Sequence, residues 1–192
     1  MSAGSVLVIC TGNICRSAVG EAILAERLAD LGVGVSSAGT QAAVDRPAPS
    51  ESVEFVRRVL GTELEHVGRQ LDKATAEAAD LLITMTTEQR SYVAKLAPRT
   101  VRRVFTLVEL ASVLELLEED ARFGSVKELA LAASRLRTQR VSEERDLDIP
   151  DPYGGPAKGY ETAFTQVVEL SEQISEALHR HVGAGQPPEH TD

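Results

Sequence analysis

The strongest constraint on the fold lies in the first 31 residues, where an apolar run meets a cysteine, a short polar loop and a helical pattern. Residues 5–10 (SVLVIC) are nearly all apolar and rich in β-branched side chains, which is typical of a buried strand in a parallel sheet. Residues 17–31 carry apolar side chains at helical spacing, and Gly32 follows as a stop signal. A strand that leads directly into a helix favours an α/β fold.

The rest of the chain repeats this alternation of strand and helix. It predicts a central four-stranded parallel sheet with helices on both faces. Residues 1–182 are expected to form a single domain, and the polar, breaker-rich residues 183–192 a flexible tail. The further strands are predicted at residues 33–38, 81–85 and 101–106, and the further helices at residues 50–60, 88–96, 107–118, 126–140 and 160–181.

Charge and cysteine usage narrow the class of protein. The net charge of −9 over 192 residues argues against a broad nucleic-acid surface. The two cysteines, Cys10 and Cys15, lie close together, so they are neither a secreted disulfide framework nor a Cys-x2-Cys metal site. There is no signal peptide pattern, and no apolar stretch approaches the ~18 residues that span a bilayer. A cytoplasmic location without a membrane partner is expected.

The loop after the first strand carries the chemistry. Ligands of open α/β sheets bind beyond the carboxyl ends of the strands, and Cys10 lies at such an end. Residues 11–16 lead into a helix N-terminus, whose free N–H groups attract anions. Gly12 and Asn13 tolerate the positive φ angles of a tight cradle, and the planar fork of Arg16 can hold two phosphate oxygens. This stretch therefore predicts a nucleophile joined to an anion cradle.

Four motifs in the right order resemble the low-molecular-weight protein tyrosine phosphatases of bacterial type. They are CTGNICRS at 10–17, SSAGT at 36–40, HVGRQL at 66–71 and DPYGG at 151–155. The resemblance implies hydrolysis of aryl phosphomonoesters such as phosphotyrosine through a cysteinyl-phosphate intermediate, without metal or organic cofactor. It makes Cys10 the nucleophile, Arg16 the phosphate-holding cation and Asp151 the general acid. The phosphate-binding residues that it implies are Thr11, Gly12, Asn13, Ile14, Cys15, Arg16 and Ser17.

The resemblance also assigns supporting roles. Asn13 would hold the strained turn of the loop, and His66 would support Asn13 from behind. Ser17 would donate a hydrogen bond to the Cys10 sulfur, although a helix N-cap is its alternative role. Cys15 is the expected partner of Cys10 in a reversible protective disulfide, or otherwise a small residue that packs inward. The substrate pocket is expected to be lined by Ile14, Ala43 and Tyr153.

The sequence departs from the family pattern in several places. Ala43 stands where many members have tryptophan, and Gly154 replaces a second aromatic residue after Asp-Pro-Tyr. Thr86 stands where the family usually has aspartate. Residues 107–150 are much longer than the corresponding loop of the family, which predicts a helical insertion before the acid loop.

Three alternatives share the loop. Protein-arginine phosphatases have the same fold but a threonine in the position of Ile14, whose apolar side chain favours an aryl phosphate. Arsenate reductases use a related loop, and their disulfide-relay type needs downstream cysteines that this chain lacks. A non-catalytic phosphate-binding module would be expected to lose Cys10, Arg16 or Asp151, and all three are present. The expected partners are phosphotyrosine-containing proteins, among them a bacterial tyrosine kinase, with inorganic phosphate as product.

Overall fold

The computed structural model describes residues 4–139 and 147–182. Its core is a four-stranded sheet in which every neighbouring pair of strands is parallel, as predicted. The first strand of the chain lies inside the sheet and is buried on both faces, because Val6, Leu7, Val8 and Ile9 are each at most 1% exposed. The strands are β1 (Gly4–Cys10), β2 (Val33–Gly39), β3 (Leu81–Thr84) and β4 (Val104–Thr106). Their order across the sheet is β2-β1-β3-β4.

Helices cover both faces of the sheet, which confirms the predicted architecture. Val6 and Val8 point into a large apolar cluster with side chains of the first, second, fifth, sixth and last helices, whereas Leu7 and Ile9 join a smaller cluster with the third and fourth. The helices are α1 (Arg16–Arg27), α2 (Ser50–Leu60), α3 (Lys73–Ala78), α4 (Thr87–Leu96), α5 (Leu107–Leu114), α6 (Val126–Leu136) and α7 (Ala157–His181). None of these helices, within the described residues, is long and apolar enough to cross a membrane.

The element boundaries differ from the predicted ones in several places. Helix α3 was not predicted; it is short, and the Asp72 carboxylate caps it by accepting a 2.7 Å hydrogen bond from the Thr75 N–H. Strand β4 begins at Val104 rather than at residue 101. Pro98–Thr100 forms a 3-10 turn, and the N–H groups of Val101 and Arg103 still bond to carbonyls of that turn. Helix α7 begins three residues before Tyr160, directly after Pro156.

Other helices end earlier than their apolar patterns. Helix α1 ends at Arg27 and α5 at Leu114, and each is followed by turns rather than by further helix. Helix α6 ends at Leu136, and the predicted end at residue 140 lies outside the described residues, as does the predicted tail at 183–192. Side chains of α5 and α6 join the same apolar cluster as β1, so this part of the chain packs into the main core.

Candidate active site

The loop between β1 and α1 is turned so that its carbonyl oxygens point away from its centre. The carbonyls of residues 10–12 accept hydrogen bonds of 2.9, 3.0 and 2.9 Å from the N–H groups of Thr40, Gln41 and Ala43. The Ser52 hydroxyl lies 3.4 Å from the Ile14 carbonyl oxygen. The N–H of a trans peptide points opposite to its C=O, so the loop directs its N–H groups inward. Such a ring of donors binds anions.

Asn13 holds the shape of this loop. It has a left-handed φ of 56°, and its side chain is completely buried. The amide Nδ2 donates to Ser17 Oγ at 2.9 Å and to Ser37 Oγ at 2.7 Å, while Oδ1 accepts from the Arg69 N–H at 2.8 Å. Each of these bonds fixes a buried polar atom, so the side chain offsets the strain of the left-handed backbone.

His66 lies behind Asn13, where the sequence predicted it. Its Nε2 donates to the Asn13 carbonyl oxygen at 2.6 Å, and its Nδ1 lies 3.4 Å from Glu21 Oε2. Burial raises the pKa of Glu21, but hydrogen bonds from His66 and Ser37 and the charge of Arg69 together hold that pKa below its usual value. The sequence reasoning did not predict Glu21 or Ser37. Ser37 lies within the quoted SSAGT motif, and its position near the end of the predicted second strand was the available signal.

Two hydrogen-bond donors face the Cys10 sulfur, which is almost completely buried. The Asn13 N–H donates to Sγ at 3.2 Å, and Ser17 Oγ lies 3.0 Å from the same atom. The Ser17 oxygen already accepts from Asn13 Nδ2, so its own hydrogen is available for the sulfur. The alternative role of Ser17 as a helix N-cap is wrong, since Cys15 occupies that position and makes no side-chain cap. Both donors are therefore directed at the same sulfur atom.

Arg16 joins the loop to the segment that carries Asp151. It is the first residue of α1, and its side chain is only 2% exposed. Nη1 donates to the Ile149 carbonyl at 2.7 Å, and Nη2 forms an ion pair with Asp151 Oδ2. Among the described residues the buried Nε has no hydrogen-bond partner. A buried guanidinium with an unused donor is well suited to hold an anionic ligand.

Cys10 and Asp151 line one pocket of about 250 Å³. Its lining includes the apolar side chains of Ile14 and Ala43 and the ring of Tyr153, a residue that is 62% exposed. The structure thus brings together the predicted nucleophile, acid and pocket residues. The lining consists of Cys10, Thr11, Gly12, Ile14, Cys15, Gln41, Ala43, Asp151 and Tyr153, of which Gln41 was not predicted.

The second cysteine is a neutral thiol in the same pocket. Burial, with the added effect of negative charge on Cys10 and Asp151, raises the pKa of Cys15 to about 12. Both cysteines are free thiols in this structure. The protective disulfide between them therefore stays a prediction. No group of three or more His, Cys, Asp or Glu side chains within residues 4–139 and 147–182 could hold a metal ion.

Comparisons with known proteins identify relatives of this chain. A family model described as low molecular weight phosphotyrosine protein phosphatase matches residues 5–120. The low molecular weight protein-tyrosine-phosphatase Etp of Escherichia coli (strain K12) is 43% identical over 177 residues, which cover 92% of this chain and 95% of that protein.

Two solved structures have similar folds. The YwlE arginine phosphatase from Geobacillus stearothermophilus matches with a TM-score of 0.70 and 27% identity, over 92% of this chain and 93% of that one. The tyrosine phosphatase Wzb from Escherichia coli K30, in complex with phosphate, matches with a TM-score of 0.64 and 27% identity, over 91% of this chain and 98% of that one.

Proposed function

The chain belongs to the low molecular weight protein-tyrosine-phosphatase family, and from that premise we propose that it hydrolyses phosphotyrosine in proteins with Cys10, Arg16 and Asp151 as catalytic residues. The observation that carries this proposal is a buried Cys10 sulfur with two hydrogen-bond donors, in a pocket that Asp151 also lines. A nucleophile and a carboxyl group in one small pocket are the minimum for this reaction.

In the first step the Cys10 thiolate attacks phosphorus. A bond forms between Sγ and phosphorus while the bond from phosphorus to the phenolic oxygen breaks. The Asp151 carboxyl gives its proton to that oxygen, so the leaving group departs as neutral tyrosine. The inward N–H groups of residues 11–16 and the Arg16 guanidinium would hold the other phosphoryl oxygens, where charge stabilisation is commonly the largest catalytic contribution.

In the second step water attacks the cysteinyl-phosphate. Asp151, now a carboxylate, takes a proton from the water as the new bond to phosphorus forms. The bond between sulfur and phosphorus breaks, and Cys10 leaves as a thiolate that accepts hydrogen bonds from Ser17 and Asn13. Inorganic phosphate is the product, and the proposed route uses no cofactor. The Asn13 side chain and His66 act by holding the loop and touch no reacting atom.

Apolar and aromatic side chains in the lining of the pocket support an aryl substrate. Ile14 and Ala43 offer no hydrogen-bonding side chain to a polar guanidino group, and Tyr153 can stack on a substrate ring. Phosphoarginine is the second candidate, because a relative from Bacillus subtilis named protein-arginine-phosphatase is 29% identical over 91% of this chain. The wider partner that we propose is a bacterial tyrosine kinase or its targets, in the reducing cytoplasm, where the free thiols of this loop would persist.

The proposal is tested with wild type, Cys10→Ser and Asp151→Asn on p-nitrophenyl phosphate, a phosphotyrosine peptide and a phosphoarginine peptide. Wild type should cleave the first two substrates and prefer phosphotyrosine over phosphoarginine. Cys10→Ser should show no turnover above background. Asp151→Asn should lower kcat on the phosphotyrosine peptide by about a hundredfold or more, since general acid catalysis is commonly worth that much.

Asp120→Asn is the matched control, because it changes an exposed carboxylate in the loop between α5 and α6 and should retain wild-type rates. A preference for phosphoarginine would overturn the substrate class while leaving the nucleophile in place. An active Cys10→Ser variant would overturn the mechanism.

A further inference from the structure

The segment that carries Asp151, residues 149–155 (the acid loop), is exposed at its functional end. The Asp151 side chain is 46% exposed, and Tyr153 is 62% exposed. Asp151 is held by Arg16, but the proposed mechanism assigns that guanidinium to the phosphoryl oxygens of the substrate. A contact that the substrate competes for cannot fix the acid during turnover. The position of Asp151 therefore needs an anchor that stays in place when phosphate binds.

Asp148, three residues before the acid, supplies a side-chain anchor of this kind. Its Oδ1 accepts a 2.7 Å hydrogen bond from the backbone N–H of Thr87, and its Oδ2 lies 3.4 Å from the Thr87 hydroxyl. Thr87 is the first residue of α4, where an N–H group has no partner within its own helix. A carboxylate at this end is also favoured by the helix dipole. Next to Asp148, the N–H of the buried Ile149 donates to the Met85 carbonyl at 2.8 Å.

The same turn of α4 also holds the loop of the nucleophile. Thr86 and Gln89 form a capping box, and the Gln89 side-chain oxygen accepts from the Met85 N–H at 2.9 Å. The Gln89 amide nitrogen donates to Thr11 Oγ1 at 3.1 Å, next to Cys10 in the chain. Gln89 is only 5% exposed, so this link lies inside the protein. One helix turn, residues 86–89, thus contacts both the neighbour of the nucleophile and the base of the acid loop.

We propose that Asp148 is a positioning residue for the general acid, anchored on the Thr87 N–H so that the first turn of α4 sets the distance between Asp151 and the Cys10 sulfur. This inference rests on the proposed role of Asp151 and goes beyond it, because it names what holds the acid in place. Asp148 itself touches no reacting atom. Thr86, which departs from the family pattern, serves here as the cap of the same helix.

A positioning role can be separated from a merely structural one through the leaving group. Phenolate is a poor leaving group that needs its proton, whereas p-nitrophenolate leaves more easily without one. A misplaced acid should therefore slow phenyl phosphate much more than p-nitrophenyl phosphate. The ratio of the two kcat/KM values does not depend on how much of the enzyme is folded, so simple destabilisation leaves it unchanged.

Two variants remove the same hydrogen bond from opposite sides. Asp148→Ala removes the acceptor, and Thr87→Pro removes the donor at a helix position that tolerates proline well. Each should lower the ratio of kcat/KM for phenyl phosphate over that for p-nitrophenyl phosphate by about tenfold, as expected for a small displacement of a catalytic group. The double variant should be no worse than either single one. Asp148→Asn, which keeps an acceptor oxygen, should recover most of the ratio.

Lys73→Pro is the matched control, because Lys73 is the first residue of α3, is exposed and also follows a capping residue. It should leave the ratio at the wild-type value. This inference would be overturned if Asp148→Ala and Thr87→Pro left the ratio unchanged while Asp151→Asn lowered it. The assignment of Asp151 as the acid would then remain intact. An unchanged ratio in Asp151→Asn would contradict the acid role itself, and the inference with it. Additive losses in the double variant would also contradict it.

Discussion

The two loops that form the pocket are built in opposite ways. The loop of the nucleophile, residues 10–17, is buried, with Asn13, Arg16 and Ser17 at most 2% exposed. Its carbonyls and side chains are held by Ser37 on β2, by the residues that follow β2 and by the segment that contains His66. The acid loop is more open, since Asp151 and Tyr153 are exposed, and Arg16 bonds to the Asp151 carboxylate and to the Ile149 carbonyl.

The difference reflects what each loop must do. Donors that stabilise transition-state charge work best when they are already in place, because no reorganisation is then needed at the moment of reaction. An acid that first gives and then takes a proton must meet both the leaving group and water, so it benefits from an exposed position. The loop of the nucleophile is therefore held rigidly along its length, while the acid loop is held by anchors at its base.

Arg16→Lys should have the largest effect, because Arg16 is the side chain that links the two loops. Lysine keeps the charge but lacks the planar fork of arginine, so it cannot bond at once to the Ile149 carbonyl and to phosphoryl oxygens. We expect kcat/KM for p-nitrophenyl phosphate to fall by about a hundredfold to a thousandfold, as for the loss of a preorganised donor. The exposed Arg57, changed to lysine, is the control and should leave the rate unchanged. A fall of less than about threefold would contradict the link.

Gly39→Ala should displace the loop of the nucleophile and have a smaller effect than Arg16→Lys. A Cβ on Gly39 would lie 2.5 Å from the Thr11 carbonyl oxygen, so the backbone of the loop must shift. We expect the free energy of unfolding to fall by about 1–3 kcal/mol, as in overpacked cores, and inhibition by phosphate to weaken. Gly34→Ala on the same strand meets nothing within 4 Å and should keep both values. Equal denaturation midpoints for the two variants would show that the loop tolerates displacement.

Tyr153→Ala should have the smallest effect on stability, since this side chain is 62% exposed. The free energy of unfolding should change by less than about 0.5 kcal/mol. Loss of stacking worth about 1 kcal/mol should still raise KM for the phosphotyrosine peptide several-fold. Tyr92→Ala, at an exposed tyrosine of α4, is the control and should leave KM unchanged. An unchanged KM in Tyr153→Ala would remove Tyr153 from substrate binding.

The sequence alone determined the architecture and the residues of the cradle. Apolar runs that alternate with helical patterns predicted four parallel strands, because each strand carries a local signal in its own residues and β1, β3 and β4 are largely buried. The residues around Cys10 are likewise contiguous, so their spacing already places the nucleophile, the turn and Arg16 in one loop. Patterns of this kind need only neighbours in the chain.

Only the tertiary structure decided what surrounds that loop. Ser37 reaches the loop from β2 and Gln89 reaches it from α4, while Glu21 on α1 accepts a hydrogen bond from Ser37. Asp148 reaches α4 across 61 positions of sequence. Helix α3 and the late start of β4 were missed for a related reason, since a capping aspartate and a proline turn overrode weak apolar patterns. Long-range hydrogen bonds leave no periodic trace in a sequence, because each depends on two distant residues that only folding brings together.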